Sequence, residues 1–249
     1  MDLGCRYAYN KPGCHSAYKA ITLDIFNEKS PFSGRVELLA ELQEQGKQIH
    51  GHSVLCKRAK FPRSSLSELL GYVEVKVAHV AGVHSWDVLN EILGIIPANW
   101  ILAVLEKMRK LQPDSLLFWN EYALKNRRYW DEVIELAAIS KTKGLLDGIG
   151  IQRHIDLRGK MHVTAMARPF ASVQSHLKSS VADRRLEHEI DRIHELGLLC
   201  HISEVSIECF PWQTANAQKL LDRLMAIAEK KDVWRFTTWT HPVIKEIAL

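Results

Sequence analysis

The chain has 249 residues, of which 47% are hydrophobic and 25% charged, a balance that excludes a disordered tail or a collagen-like fibre and leaves ample apolar material for a core. Its 33 Lys and Arg stand against 29 Asp and Glu, a formal charge of +4 too small and too scattered to predict nucleic acid or an anionic membrane as partner. The longest apolar stretches, around 94–96 and 100–105, are broken by Pro97 and Asn99 and fall far short of the roughly 20 residues of a membrane-spanning helix.

The opening Met1-Asp2-Leu3-Gly4-Cys5 has no basic region followed by an apolar stretch, so no secretory signal is read there; a mature form with its signal removed would look the same. Cysteines stand at 5, 14, 56, 200 and 209. Without the close spacing of a zinc knuckle they are expected to be structural thiols, with Cys5–Cys14 or Cys200–Cys209 as candidates if one disulfide forms.

In chain order, short apolar or β-branched runs at 6–9, 20–23, 48–55, 85–89, 116–120, 148–152, 198–203 and 234–238 predict strands. Segments with apolar residues at helical spacing lie between most of them, at 33–45, 65–77, 97–111, 130–141, 179–196 and 214–230. Gly46 and Gly197 supply stops and Pro97 a favourable first turn. Strict alternation implies a parallel sheet, and eight strands in this length suggest a closed (β/α)8 barrel as a single domain over 1–249. The helical layer is expected to be thin at both ends of the chain. Only Asn10 to Lys19, with Pro12 and Gly13, joins the first two strands, and only Pro242 to Leu249 follows the eighth.

Reacting groups in such a barrel sit at the carboxyl ends of strands. The polar residues there are His52, Asn90 and Glu91, Asn120, Gln152 and His154, Glu204, and Trp239. Glu91 and Glu204 follow runs that would otherwise be core, which delivers two carboxylates to one rim. Acetal hydrolysis needs such a pair: one is held protonated for the leaving oxygen, and the other is ionised to meet the positive charge at the sugar carbon. Trp100, Trp130 and Trp212 are expected to be packing residues, and Asn120 a structural hydrogen bonder.

These segments resemble the glycoside hydrolase family ten xylanases. Trp86-Asp87-Val88-Leu89-Asn90-Glu91 is similar to the acid/base signature of that family, and His201-Ile202-Ser203-Glu204-Val205 to its nucleophile strand. Gly51-His52-Ser53, Phe118-Trp119-Asn120-Glu121-Tyr122 and Asp147-Gly148-Ile149-Gly150-Ile151-Gln152-Arg153-His154 fall in the same order. The resemblance implies an α/β TIM barrel and a retaining endo-β-1,4-xylanase, with Glu91 as general acid/base and Glu204 as nucleophile. It further implies that Asn90 bonds the sugar 2-hydroxyl, His52 binds the sugar at the cleavage point and His154 orients Glu204. Gln152 would lie near Glu91, Tyr122 would line the leaving-group side, and Trp239 would stack on the sugar. No metal or organic cofactor is implied. The implied partner is xylan or its β-1,4-linked oligosaccharides, acted on outside the cell by a monomer.

The departures from the family fall in sugar binding. Cys56 and Lys57 stand where it has tryptophan and histidine, and Ser206 where it has aspartate. The second-strand stretch Leu23-Asp24-Ile25-Phe26-Asn27-Glu28-Lys29 fits its motif only with a shift. Weaker binding on the non-reducing side is therefore expected. Alternatives are a β-1,4-glucanase, a barrel that binds sugar or protein without turnover, and a zinc amidohydrolase built on His50-Gly51-His52.

Overall fold

The computed structural model describes residues 1–6, 18–25, 32–122, 126–157, 180–239 and 244–246. Eight strands, β1 (Asp2–Arg6), β2 (Ala20–Asp24), β3 (Gln48–Cys56), β4 (Ser85–Asn90), β5 (Leu116–Glu121), β6 (Gly148–Asp156), β7 (Leu199–Cys209) and β8 (Arg235–Thr238), pair in parallel with their sequence neighbours. Asp2 to Cys5 of β1 then pair with Arg235 to Thr238 of β8, which closes the barrel.

Around the barrel lie α1 (Phe32–Glu44), α2 (Leu66–Val77), α3 (Ala98–Leu111), α4 (Arg127–Thr142), α5 (Ser180–Glu195) and α6 (Thr214–Lys230). Local chemistry sets their ends. The Ser65 hydroxyl accepts from Glu68 N (3.2 Å) at the start of α2, and Asn126 Oδ1 from Arg128 N (3.0 Å) at the start of α4, each satisfying an orphan amide of the first turn. Gly46 and Gly197, at φ +70° and +67°, end α1 and α5 in the left-handed conformation that costs glycine least.

The core lies between strands and helices, with Leu69, Val73 and Val77 of α2, Val104, Leu105 and Met108 of α3, and Trp130 and Val133 of α4 buried. Gly51 makes room for one of the largest core side chains, since a Cβ there would lie 2.3 Å from the Trp86 ring. Among the described residues no helix is long and apolar enough to cross a membrane.

Several expectations need correction. The first strand begins at Asp2, earlier than expected, because residues 2–5 pair with β8; the expected residues 7–9 lie outside the described residues. β6 and β7 run on past the expected ends, pairing His154 with Ser206 and Asp156 with Glu208 beyond a bulge. A further short strand, β9 (Ile244–Glu246), pairs with the far end of β7. Cys200 is a free buried thiol, so it is not bridged to Cys209, and Cys14 lies outside the described residues. Trp212 is not a packing residue: it is 65% exposed and stacks on Phe210 at 4.6 Å. Of the stretches expected to be thin in helix, 10–19 and 242–249, only 18–19 and 244–246 are among the described residues, and Ile244–Glu246 is the strand β9.

The closing seam is built from the short strands. β8 has 4 residues and β1 and β2 have 5 each, against 9 in β6 and 11 in β7. Amides of the β8–β1–β2 seam should therefore exchange hydrogen faster than those of the β6–β7 pair. Equal protection by hydrogen-exchange mass spectrometry would contradict this.

Candidate active site

The carboxyl ends of the strands surround a cleft of about 860 Å³ whose walls include Glu91, Glu204, His52, His154, Tyr122 and Trp239. Asn90 and Gln152 line it as well, so all eight residues expected from the sequence meet at one site. His154 and Glu204 stand within their strands rather than after them, because β6 and β7 extend further than their apolar runs.

Glu91 and Glu204 share an unusual backbone: each has φ of +54°. A non-glycine residue in this region costs of the order of 1–3 kcal/mol, and neighbouring groups hold both in place. Glu204 is 5% exposed. Its Oε1 accepts from Asn120 Nδ2 (2.7 Å), and its Oε2 from His154 Nε2 (3.0 Å). His154 is in turn fixed through Nδ1 by the Ser206 hydroxyl at 2.7 Å. Ser206, a departure from the family pattern, thus takes part in orienting Glu204. Glu91 is half-buried, and its backbone N donates to Asn120 O (3.0 Å).

Asn120 is the hub. Its Nδ2 also reaches Asn90 Oδ1 (3.2 Å), and its Oδ1 accepts from Ser203 Oγ (2.6 Å), which agrees with its expected structural role. Gln152 lies beside Asn90 and donates to its Oδ1 (2.9 Å). Gly150 keeps this hub in place, because a Cβ there would lie 2.5 Å from Asn120 Oδ1.

His52 links the cleft to the barrel interior. Its Nδ1 lies 2.8 Å from Asp87 Oδ2, its Nε2 faces Glu204 Oε1 at 3.9 Å, and the Trp239 ring meets it edge-on at 4.9 Å. Burial pulls the His52 pKa down, but the hydrogen bond to Asp87 and the charges of Glu204, Asp87 and Asp24 outweigh it, raising the value from 6.5 to about 9. His52 is then cationic at neutral pH. Burial acts against the Asp87 carboxylate too, yet His50 and His52 hold it well below the usual range.

Deeper in the barrel, His50 Nε2 lies 3.0 Å from the same Asp87 oxygen. Ligand atoms of His50, Asp87 and His201 approach within 4.8 Å of one another, close enough to consider a metal ion. The set is a poor cation site, because the buried Arg235 guanidinium acts on both Asp87 and His201 and already supplies positive charge. Nor does the structure pair His50 with His52 around an open position. His50 is sealed inside, and only His52 reaches the cleft.

Sequence reasoning missed Asp87 and Glu121 as parts of the site. The signal for Asp87 was a carboxylate inside a strand expected to be buried, and for Glu121 a carboxylate directly after one. Glu121 is buried behind the rim, where Trp119 Nε1, Tyr129 Oη and Ile92 N donate to it at 2.9, 2.9 and 3.1 Å.

A closed parallel barrel with two carboxylates on its carboxyl-end rim is the arrangement of the glycoside hydrolase barrels. Residues 9–242 match the sequence model of glycosyl hydrolase family 10, and the chain belongs to that family. An endo-1,4-beta-xylanase A of Thermotoga maritima is 29% identical over 144 residues, 47% of this chain and 14% of its own length. A beta-1,4-xylanase of Dictyoglomus thermophilum is 25% identical over 197 residues, 70% of this chain and 50% of its own. The chain thus spans half or less of the length of these relatives. A solved Thermobacillus composti xylanase of family 10 shares the fold with TM-score 0.72 at 22% identity, covering 96% of this chain and 83% of that one. Native xylanase 10B of Thermotoga maritima gives TM-score 0.72 at 16% identity, covering 96% and 82%.

Because His52 binds its proton more tightly when folded, its contribution to stability is complete below pH 6.5 and is lost as pH rises through about 9. The wild-type chain should lose roughly 3 kcal/mol of unfolding free energy across that window. Asp87→Asn should be about 3–5 kcal/mol less stable at pH 6 and flatter with pH. Parallel pH profiles in urea denaturation would contradict the assignment.

Proposed function

We propose that this chain is a single catalytic barrel acting as a retaining endo-1,4-β-xylanase, which cleaves internal linkages of xylan through a covalent glycosyl-enzyme. The observation that carries the reading is the unequal pair at the cleft. Glu204 is buried with a donor on each oxygen, whereas Glu91 is half-buried and makes no side-chain hydrogen bond or ion pair among the described residues.

In this reading a Glu204 oxygen attacks the sugar anomeric carbon while the bond from that carbon to the leaving oxygen breaks. The proton on Glu91 passes to that oxygen. Water then attacks the same carbon, giving its proton to Glu91 and releasing Glu204. Every step uses only the two carboxylates, water and substrate. Donors to Oε1 and Oε2 still leave Glu204 a free lone pair on each oxygen for attack.

Around the reacting carbon, His52 and Asn90 bind sugar hydroxyls, and Trp239 offers an aromatic face beside His52. The Asn90 amide is oriented to donate to a hydroxyl. Its Oδ1 is occupied by Asn120 and Gln152, while among the described residues Nδ2 reaches only the Cys56 sulfur at 3.4 Å, a weak acceptor that a hydroxyl would replace. Tyr122 lines the leaving-group side. Cys56, Lys57 and Arg58 form the wall next to Asn90, so the grip there is polar rather than aromatic. A polymeric substrate places the reaction outside the cell, and the site needs no second copy of the chain.

Reducing sugar should be released from β-1,4-xylan by the wild-type protein and by Glu91→Gln at a rate about 10²–10⁴ lower. Glu204→Gln should release none. Equal release by wild type and Glu204→Gln would overturn the assignment, and faster release from β-1,4-glucan than from xylan would overturn the substrate.

A further inference from the structure

We propose that Glu121, which is not among the groups that touch the substrate, is a positioning residue for Glu91: from the outer face of β5 it holds the backbone turn on which the Glu91 carboxylate is mounted. The inference rests on reading Glu91 as the acid/base.

Asn120 and Glu121 are consecutive on β5, so their side chains leave the strand on opposite faces. Asn120 points into the barrel mouth, where its amide holds Glu204 at 2.7 Å. Glu121 points outward against α4 and is 1% exposed. Between them they fix the two peptide groups that flank Glu91. The N–H of Glu91 donates to Asn120 O at 3.0 Å, and the N–H of Ile92 donates to Glu121 Oε1 at 3.1 Å. Those two peptide planes define φ and ψ of Glu91, the left-handed pair that aims its side chain into the cleft. With either released, the residue would relax towards the ordinary right-handed or extended regions.

Glu121 is itself held rigidly. Trp119 Nε1 shares Oε1 with Ile92 N, and Tyr129 Oη from α4 occupies Oε2 at 2.9 Å. Burial pushes its pKa up to about 7 against these bonds, and the nearby Glu91 charge pushes the same way. Besides Trp119 and Tyr129, this buried carboxylate accepts from the backbone of Ile92 and Leu93, the two residues directly after Glu91, and so ties down the peptide that Glu91 shares with Ile92. Here the peptide belongs to the residue that must meet the leaving oxygen within hydrogen-bond reach.

A displacement of about 1 Å at a reacting group can cost about 10²-fold in rate. The consequence is specific to the protonation step. A sugar leaving group needs its proton, whereas dinitrophenolate leaves without one. In Glu121→Leu, which removes the acceptor of the Ile92 N–H, kcat/KM on xylotetraose should fall about ten- to hundredfold, while kcat/KM on a dinitrophenyl β-xylobioside stays within about threefold of wild type; Glu121→Gln, whose amide oxygen still accepts from Ile92 N, should recover most of the loss. KM on xylotetraose should be nearly unchanged. Tyr129→Phe, which removes the bond fixing Oε2 and so loosens the carboxylate that carries the Ile92 N–H, should show the same pattern at about three- to tenfold and serves if Glu121→Leu does not fold. Equal losses on the two substrates, or none, in the folded variant would overturn the proposal. Wild-type protein without activity on xylotetraose, or a Glu91→Gln variant that loses both substrates equally, would instead overturn the reading of Glu91 on which it rests.

Discussion

A side chain on a residue with φ near +54° crowds its own backbone, and the barrel holds two glutamates in this state at its mouth. Each is opposed by about 1–3 kcal/mol of strain, so neither turn persists without groups that overdetermine it. The end of β5 supplies them for both. Asn120 binds the Glu204 carboxylate and, through its carbonyl, the Glu91 amide, while Glu121 binds the next amide. The cleft geometry thus depends on a central strand locked between β4 and β6 rather than on loops.

Below the cleft, the barrel interior is unexpectedly polar. His50, Asp87, His201 and Arg235 are buried in one layer, with Ser85 and Thr237 hydroxyls 2.7 Å from His50 Nδ1 and His201 Nε2. Burial, with His50 and Arg235 nearby, pushes the His201 pKa well below its ordinary value, so this ring is neutral at physiological pH. Asp87 lies against His50 and His52 at 3.0 and 2.8 Å and acts electrostatically on Arg235. One buried anion meets groups from β3 and β8, and the same anion sets the charge His52 presents beside Glu204. The stability of the barrel and the electrostatics of the cleft are coupled through that carboxylate.

Much of the site was legible in the linear pattern, because a barrel delivers strand-end residues to one face whatever the intervening helices contain. Glu91 after Val88 and Leu89, and Glu204 after Ile202 and Ser203, could be placed on a common rim from alternation alone. The partners of these carboxylates were less legible. Ser206 reads as a lost acidic residue, yet it lies 2.7 Å from His154 Nδ1. That pairing exists only because β6 and β7 stay in register beyond a bulge. Glu121 reads as one polar residue beside a conspicuous Asn120, and its role emerges only when α4 brings Tyr129 against it.

The linear pattern of residues was enough to dictate the alternation of strand and helix, the parallel barrel that follows from it, and which strands end in carboxylates. These are consequences of local periodicity and of the short range over which turns, caps and crossovers act. Where β1 begins, how far β6 and β7 extend, and which side chain supports which carboxylate were settled by the folded chain alone. Those outcomes depend on register across strands distant in the chain, and on burial that turns an ordinary glutamate into a fixed hydrogen-bond acceptor.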